Sequence, residues 1–111
     1  MTEARHPVAG SRGSGSILIP YRGSDGLLAD RLGAARELGA QDLVVDFGET
    51  ETLSSAALEV LLRTGRELGG KGGRLAVVCL RPSLRRLLRL TLLQRAFAVH
   101  SSIEAAFRQP A

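Results

Sequence analysis

The fold is decided by the stretch Leu53-Ser54-Ser55-Ala56-Ala57-Leu58-Glu59-Val60-Leu61, in which a polar loop turns into an amphipathic helix. Apolar runs flank this stretch, at residues 43–47 before it and at residues 75–80 after it. A strand, a helix and a strand of these lengths form a βαβ unit, whose strands are parallel and joined by a right-handed crossover. The sequence therefore predicts an α/β fold organised around the central helix.

Upstream of this unit, the pattern predicts one more strand and one more helix. Residues 17–19 form a short strand that ends at Pro20, and a proline there favours the edge of a sheet. Ser24 or Asp25 can cap the helix that follows, and Gly39 can terminate it. The apolar side chains expected on the inner face of this helix are Leu28, Leu32, Ala35 and Leu38.

Downstream, Pro82 can begin a short basic helix. Its inner face is expected to carry Leu84, Leu87 and Leu88, and its outer face Arg85, Arg86 and Arg89. A strand at 96–99 and a helix capped by Ser101 and Glu104 complete the order β-α-β-α-β-α-β-α. We expect one α/β domain over residues 16–109, with a mixed, mostly parallel sheet of about four strands and flanking helices. Residues 1–15 are expected to form a flexible N-terminal arm.

Composition limits the classes of protein that the chain can belong to. Its 111 residues, 44% of them hydrophobic, suffice for one domain with a core of its own. The net charge of +4 is modest, and the single cysteine, Cys79, lies inside an apolar run. With neither a run long enough to span a membrane nor a secretory signal, we expect a cytoplasmic protein without membrane insertion.

Several motifs that suggest chemistry have simpler explanations. Residues 65–71 match the start of a phosphate-binding loop, but Gly72 follows where Ser or Thr is required, and a strand follows where a helix is required. His6 and His100 lack partners at metal-ligand spacing, and no nucleophile–base pair can be assembled. We therefore expect neither an enzyme nor a bound metal or cofactor. The arginines of 81–95 are interpreted as a solvated face, and nucleic acid is not an expected partner.

Two explanations remain open for Ser54 and Ser55. Serine is among the best N-cap residues, so either hydroxyl can simply satisfy the backbone at the start of the helix. The same place is favourable for a phosphate, because backbone N–H groups and the helix dipole point toward it. Helix chemistry alone favours capping.

From Leu43 to Phe107 the chain resembles the STAS domain, the fold of bacterial anti-sigma factor antagonists. Residues 17–38 match the earlier strand and helix of that family more loosely. The matching segments are residues 43–47, 53–58, 60–62, 72–78, 82–88, 93–97 and 103–106. At the central turn the family signature reads Asp-Ser-Ser/Thr-Gly-Leu, and its first Ser is the one phosphorylated.

Mapped onto this chain, the signature makes Ser55 the phosphoacceptor, with Ser54 the less favoured candidate. Ser54 stands at the position of the family's Asp, and Ala57 at that of its Gly, where a methyl group would meet an approaching partner. Thr50 and Thr52 replace usual apolar residues, and Leu92 replaces a usual Gly. The partner-binding residues that the resemblance implies are Asp25, Thr52, Leu53, Ser54, Ser55, Ala56, Ala57, Leu58 and Glu59.

The resemblance implies a partner-switching protein that is not an enzyme. Its unphosphorylated form would bind an anti-sigma factor of the histidine-kinase-like ATPase type and release the sigma factor. The alternative is a constitutive STAS scaffold, for example a subunit of a transporter ATPase complex, whose binding would not depend on phosphate. A weaker third hypothesis is an arginine-rich nucleic-acid binder.

Overall fold

The computed structural model describes residues 16–90 and 96–108, and within them four strands alternate with four helices. In chain order these are β1 Ser16–Pro20, α1 Asp25–Glu37, β2 Asp42–Gly48, α2 Ser55–Gly69, β3 Arg74–Cys79, α3 Pro82–Leu90, β4 Ala98–His100 and α4 Ile103–Arg108. The predicted element order is confirmed. The predicted arm at 1–15, the end of the predicted domain at 109 and the departure at Leu92 lie outside the described residues.

The strands form one sheet in the order β1-β2-β3-β4. Each described pair of neighbours is parallel, so the sheet is parallel throughout rather than mixed. Pro20 ends β1 at one edge of this described sheet, where its missing N–H costs no ladder bond. The α/β architecture expected from the sequence is confirmed.

Helices cover the two faces of the sheet unequally. Because consecutive strands are neighbours, right-handed crossovers place α1, α2 and α3 on the same face. Leu32 of α1, Leu61 of α2 and Leu84 of α3 pack there against Val45 and Val77 of the central strands. On the other face α4 places Ala106 against Val44, Ala76 and Val78. The central strands are therefore apolar on both sides, as buried parallel strands require.

Two leucines predicted to face inward are exposed. Leu38 is 82% exposed because α1 ends at Glu37 and Leu38 is the C-cap residue. Leu87 is 46% exposed, and only Leu84 and Leu88 of α3 are buried, which matches a narrower apolar stripe than predicted. The predicted cap and terminator of α1 are confirmed: Ser24 Oγ accepts a hydrogen bond from Leu27 N, and Gly39 has φ +90°.

Two arginines predicted on the solvated face of α3 bind the backbone instead. Arg85 Nη1 donates to the Cys79 carbonyl at 2.7 Å, and Arg89 Nη2 donates to the Val99 carbonyl at 3.2 Å. Both bonds join α3 to neighbouring strands, so these cations have a structural role. The basic character of α3 is therefore only partly available to a partner.

The last strand and its following helix are shifted from their predicted positions. The strand is Ala98–His100 rather than 96–99, and His100 is its final residue. Ser102, not Ser101, caps α4, because its Oγ accepts the Ala105 N–H at 3.0 Å. The strand begins two residues later and ends one residue later than predicted, because its pairing with β3 runs from Ala98 to His100 and local sequence does not show such pairing.

The glycine-rich segment after α2 is a helix end and a turn, as its sequence context indicated. Gly65 lies inside α2, and a Cβ built there would collide with the Ala96 carbonyl. Gly72 has φ +84°, which suits a tight turn into β3.

Among the described helices, none combines the length and apolar character needed to cross a membrane.

Candidate functional site

The two serines lie at the carboxyl edge of the parallel sheet, where the loops after β1, β2 and β3 meet. Tyr21 N donates to the Asp46 carbonyl and Leu80 N donates to the Gly48 carbonyl, each at 2.9 Å. These bonds extend the strand pairing into the loops on either side of β2. The start of α2 is thus supported by two neighbouring loops.

Ser54 is the N-cap of α2. Its backbone is extended, with φ −74° and ψ 164°, and its Oγ accepts the Ala57 N–H at 3.1 Å. The hydroxyl proton is donated to Oδ2 of Asp25 at 2.6 Å, across 29 positions of sequence. Ser54 therefore performs the capping role, and it also ties α2 to the start of α1.

Asp25 is held on its other side by Tyr21. The Tyr21 hydroxyl donates to Oδ1 of Asp25 at 3.0 Å. The Tyr21 ring packs against Phe47, with ring centroids 4.9 Å apart and planes inclined by 50°. Burial, the hydrogen bond to Asp25 and the charge of Asp25 all raise the pKa of Tyr21. Both carboxylate oxygens of Asp25 are thus occupied, and its position is fixed.

Ser55 is in a different environment from Ser54. It is the first residue of α2 and its side chain is exposed. Within the described part of the chain its hydroxyl makes no hydrogen bond, while the adjacent Ser54 makes two. A free hydroxyl at the first position of a helix is accessible to a modifying enzyme or to a docking partner.

Arg81 fastens the loop that precedes α2. Its Nη2 lies 2.7 Å from Oε2 of Glu51, and its Nε lies 3.4 Å from Oε1 of Glu49. The same Nε is also 3.4 Å from the Glu49 carbonyl oxygen. Neither Arg81 nor Tyr21 was singled out from the sequence, because only the fold brings residues about thirty positions apart into one site.

The residues expected to bind a partner share this edge, but they are not equally accessible. Asp25, Leu53 and Leu58 are half-buried, and the two leucines pack against the main core. The exposed members are Thr52, Ser54, Ser55, Ala56 and Glu59. Ala57 is fully buried, so the expectation that its methyl group meets an approaching partner is wrong. That methyl adds apolar contact to the core.

Among the described residues, neither a metal-binding cluster nor a reactive cysteine is found. The described residues contain no group of three His, Cys, Asp or Glu side chains placed to hold a metal ion. Cys79 is buried, and burial raises the pKa of its thiol to about 11, so it is a poor nucleophile. A cavity of about 210 Å³ lies at the other end of the strands from the serines, near the starts of β2 and β3. Its lining includes Arg36, Gln41 and Glu67. The serine site itself is an exposed surface.

These observations define a small parallel α/β domain with an exposed serine beside a capped helix N-terminus. A model of the STAS domain family matches residues 21–106, which is well over half of the chain. The chain therefore belongs to the STAS domain family. None of the curated protein sequences matches it.

Solved structures share this fold. A crystal structure of an anti-sigma factor antagonist from Mycobacterium paratuberculosis is 25% identical, with a TM-score of 0.70 over 88% of this chain and 87% of that chain. A Thermotoga maritima protein proposed to be an anti-sigma factor antagonist is 17% identical, with a TM-score of 0.71 over 88% of this chain and 89% of that one. An NMR structure of that protein gives a TM-score of 0.73, with 17% identity over 89% and 84% of the two chains.

Proposed function

We propose that this STAS domain is an anti-sigma factor antagonist of the partner-switching type. In its unmodified form it binds an anti-sigma factor and so frees a sigma factor. Phosphorylation of Ser55 ends that binding. The observation that supports this proposal best is the division of roles at the start of α2, where Ser54 caps the helix and the hydroxyl of Ser55 is left exposed and unbonded among the described residues.

The division matters because capping was the alternative explanation for both serines. One N-cap hydroxyl accepts one of the first backbone N–H groups, and Ser54 already does so. Ser55 is not needed for the helix to begin. Its exposed hydroxyl is therefore free for another role, which the STAS signature supplies.

The proposed modification is a phosphoryl transfer from ATP that the partner, a histidine-kinase-like ATPase, carries out. The Ser55 oxygen bonds to the γ-phosphorus, the bond from that phosphorus to the bridging oxygen of ADP breaks, and the kinase accepts the hydroxyl proton. ADP leaves with the bonding electron pair. The antagonist supplies the hydroxyl and is not itself the enzyme.

A phosphate on Ser55 should leave the domain folded while weakening the interface. It would lie near the positive end of the α2 dipole, which stabilises negative charge. It would also add about −1.5 to −2 charges to an exposed surface that already carries Glu51 and Glu59. Repulsion and the cost of desolvating these charges would then oppose docking. The switch would act on binding rather than on folding.

The first experiment is a pull-down of the tagged chain from a lysate of its own host. The wild type is compared with Ser55→Ala, with Ser55→Glu and with Gln41→Glu. The last variant adds the same single negative charge at an exposed residue just before β2, at the opposite edge of the sheet from Ser55. We expect the wild type, Ser55→Ala and Gln41→Glu to retain a small ATPase of the histidine-kinase-like class, and Ser55→Glu to lose it.

The same captured partner, given ATP, should phosphorylate the wild type and leave Ser55→Ala unmodified. Equal phosphorylation of Ser55→Ala would show that the acceptor is wrong. Capture of a transporter ATPase by all four proteins alike would instead support the constitutive scaffold. That alternative is motivated by Ser54 and Ala57, which replace the signature's Asp and Gly, and it predicts no effect of Ser55→Glu.

The structure gives little support to a nucleic-acid function. Arg85 and Arg89 are committed to backbone carbonyls, and Arg81 is paired with two glutamates. A nucleic-acid surface needs cations that are free to neutralise phosphates. Lack of retention on DNA or RNA at low salt would be consistent with this, and a steep salt dependence of binding would contradict it.

A further inference from the structure

We propose that Asp25 determines which of the two adjacent serines is phosphorylated, by excluding Ser54 and leaving Ser55 as the acceptor. This inference rests on the proposed function and concerns the regulation of the same site. The ambiguity is particular to this chain, because Ser54 stands where the family signature has an aspartate. Two neighbouring hydroxyls would otherwise compete for the same phosphoryl group.

The contact between Ser54 and Asp25 makes Ser54 a poor acceptor. Its proton lies between Ser54 Oγ and Asp25 Oδ2, which are 2.6 Å apart, within the range of strong hydrogen bonds to a charged oxygen. Phosphoryl transfer from ATP to Ser54 would form an Oγ–phosphorus bond, release ADP and remove that proton. The hydrogen bond would be lost, and a phosphate would face a carboxylate in its place.

Asp25 cannot easily turn away from such a charge. Its other oxygen accepts the Tyr21 hydroxyl at 3.0 Å, and the Tyr21 ring is packed against Phe47. Asp25 is also in the first turn of α1, where the helix dipole favours its charge. Among the described residues, Asp25 has no ion pair that would neutralise it. The carboxylate is therefore fixed and negatively charged beside Ser54.

Capping gives a second reason for the exclusion of Ser54. Its Oγ accepts the Ala57 N–H at 3.1 Å, so the side chain is held in one orientation by a donor and an acceptor together. A kinase would have to break this arrangement to align the oxygen with ATP. Ser55 has no such contact among the described residues, and its modification disturbs neither the cap nor the bond to Asp25.

The test uses the 111-residue chain, host lysate supplemented with ATP as the source of kinase, and tandem mass spectrometry to assign the phosphate. Asp25→Asn is compared with the wild type and with Asp30→Asn. Asp30 is exposed on the same helix, so its variant has the same change in net charge without touching Ser54. Repulsion between charges about 4 Å apart should disfavour phospho-Ser54 by about tenfold or more. We therefore expect phosphate on Ser55 in the wild type and in Asp30→Asn, and a ratio of phospho-Ser54 to phospho-Ser55 about tenfold higher in Asp25→Asn.

This ratio is informative because a merely structural role would change both sites alike. Phosphorylation of Ser55 with an unchanged ratio in Asp25→Asn would overturn the role of Asp25 and leave the proposed function standing. Phosphate mainly on Ser54 in the wild type would also overturn it. Phosphate on neither serine in any variant would refute both the proposed function and the inference that rests on it.

A second measurement tests the electrostatic exclusion without a kinase. Thermal unfolding is compared for Ser54→Glu and Ser54→Gln, which have similar size and lose the same cap but differ in charge. We expect Ser54→Glu to melt at a lower temperature than Ser54→Gln in the wild-type background. The gap should shrink when Asp25→Asn is added. An unchanged gap would show that Asp25 does not repel a negative charge at position 54.

Discussion

Oε2 of Glu51 lies 2.7 Å from Nη2 of Arg81, so an acidic residue of the loop before α2 is bound to the residue that precedes α3. Glu49 of the same loop contacts Arg81 through both its carboxylate and its carbonyl oxygen. At the other end of the loop, Ser54 donates a hydrogen bond to Asp25 at the start of α1. The segment that presents Ser55 is therefore fixed at both ends.

Arg81→Gln should loosen this loop more than it destabilises the domain. Arg81 and both glutamates are exposed, and exposed ion pairs contribute at most about 1 kcal/mol each. We expect a change of that size or less in the free energy of unfolding. Faster hydrogen exchange should appear at residues 49–53 because the loop loses its anchor. Urea unfolding and exchange mass spectrometry measure the two effects.

The matched control for that loop is Arg86→Gln. Arg86 is exposed on α3 and makes no hydrogen bond or ion pair with the other described residues. The Arg86→Gln variant should leave hydrogen exchange at residues 49–53 unchanged. Equal acceleration in both variants would mean that the loop responds to net charge and not to the contacts of Arg81.

Replacing each serine separately should distinguish the cap from the acceptor. Ser54→Ala removes the acceptor for Ala57 N and should lower the free energy of unfolding by about 1 kcal/mol. Ser55→Ala removes an exposed hydroxyl, and its effect should stay within about 0.5 kcal/mol. Urea denaturation of the two variants measures both values. The opposite order would mean that Ser55, and not Ser54, caps α2 in solution.

Gly65→Ala should destabilise the domain even though alanine favours helix. An added Cβ would collide with the carbonyl of Ala96, and overpacking of this kind costs about 1–3 kcal/mol. Gly33→Ala is the matched control, because Gly33 is also inside a helix and its nearest neighbour, Arg36 Nη2, would be 4.0 Å from the Cβ. There we expect a gain of up to about 1 kcal/mol from helix propensity. Equal gains in both variants would contradict the close packing of α2 against Ala96.

Cys79 should make stability depend on alkaline pH. Burial raises the pKa of its thiol from 9.0 to about 11, so the folded state keeps a proton that the unfolded state has lost in this range. The free energy of unfolding should therefore fall as pH rises from 9 toward 11. Cys79→Ala, measured by urea denaturation at the same pH values, should show a shallower decline. Identical slopes would mean that the thiol does not titrate differently in the two states.

The kind and order of the helices and strands follow from local patterns in the sequence. Apolar runs of five or six residues bounded by glycine and polar turns favour strands by their length, and the 3.6-residue spacing of apolar residues between these runs indicates helices. Ser24 and Gly39 were predictable as helix ends because capping depends on atoms within a few residues of each other. The serines at the start of α2 were found for the same reason.

The contacts of those serines, and which of the two hydroxyls remains free, depend on the packing of elements that are distant in sequence. The bonds from Ser54 to Asp25 and from Glu51 to Arg81 join residues about thirty positions apart, and no local pattern predicts their meeting. The exposure of Leu87 and the burial of Ala57 likewise depend on which helix face meets the sheet. Local chemistry specifies where a helix begins, whereas packing of separate elements specifies which of its hydroxyl groups is bound and which is left for a partner.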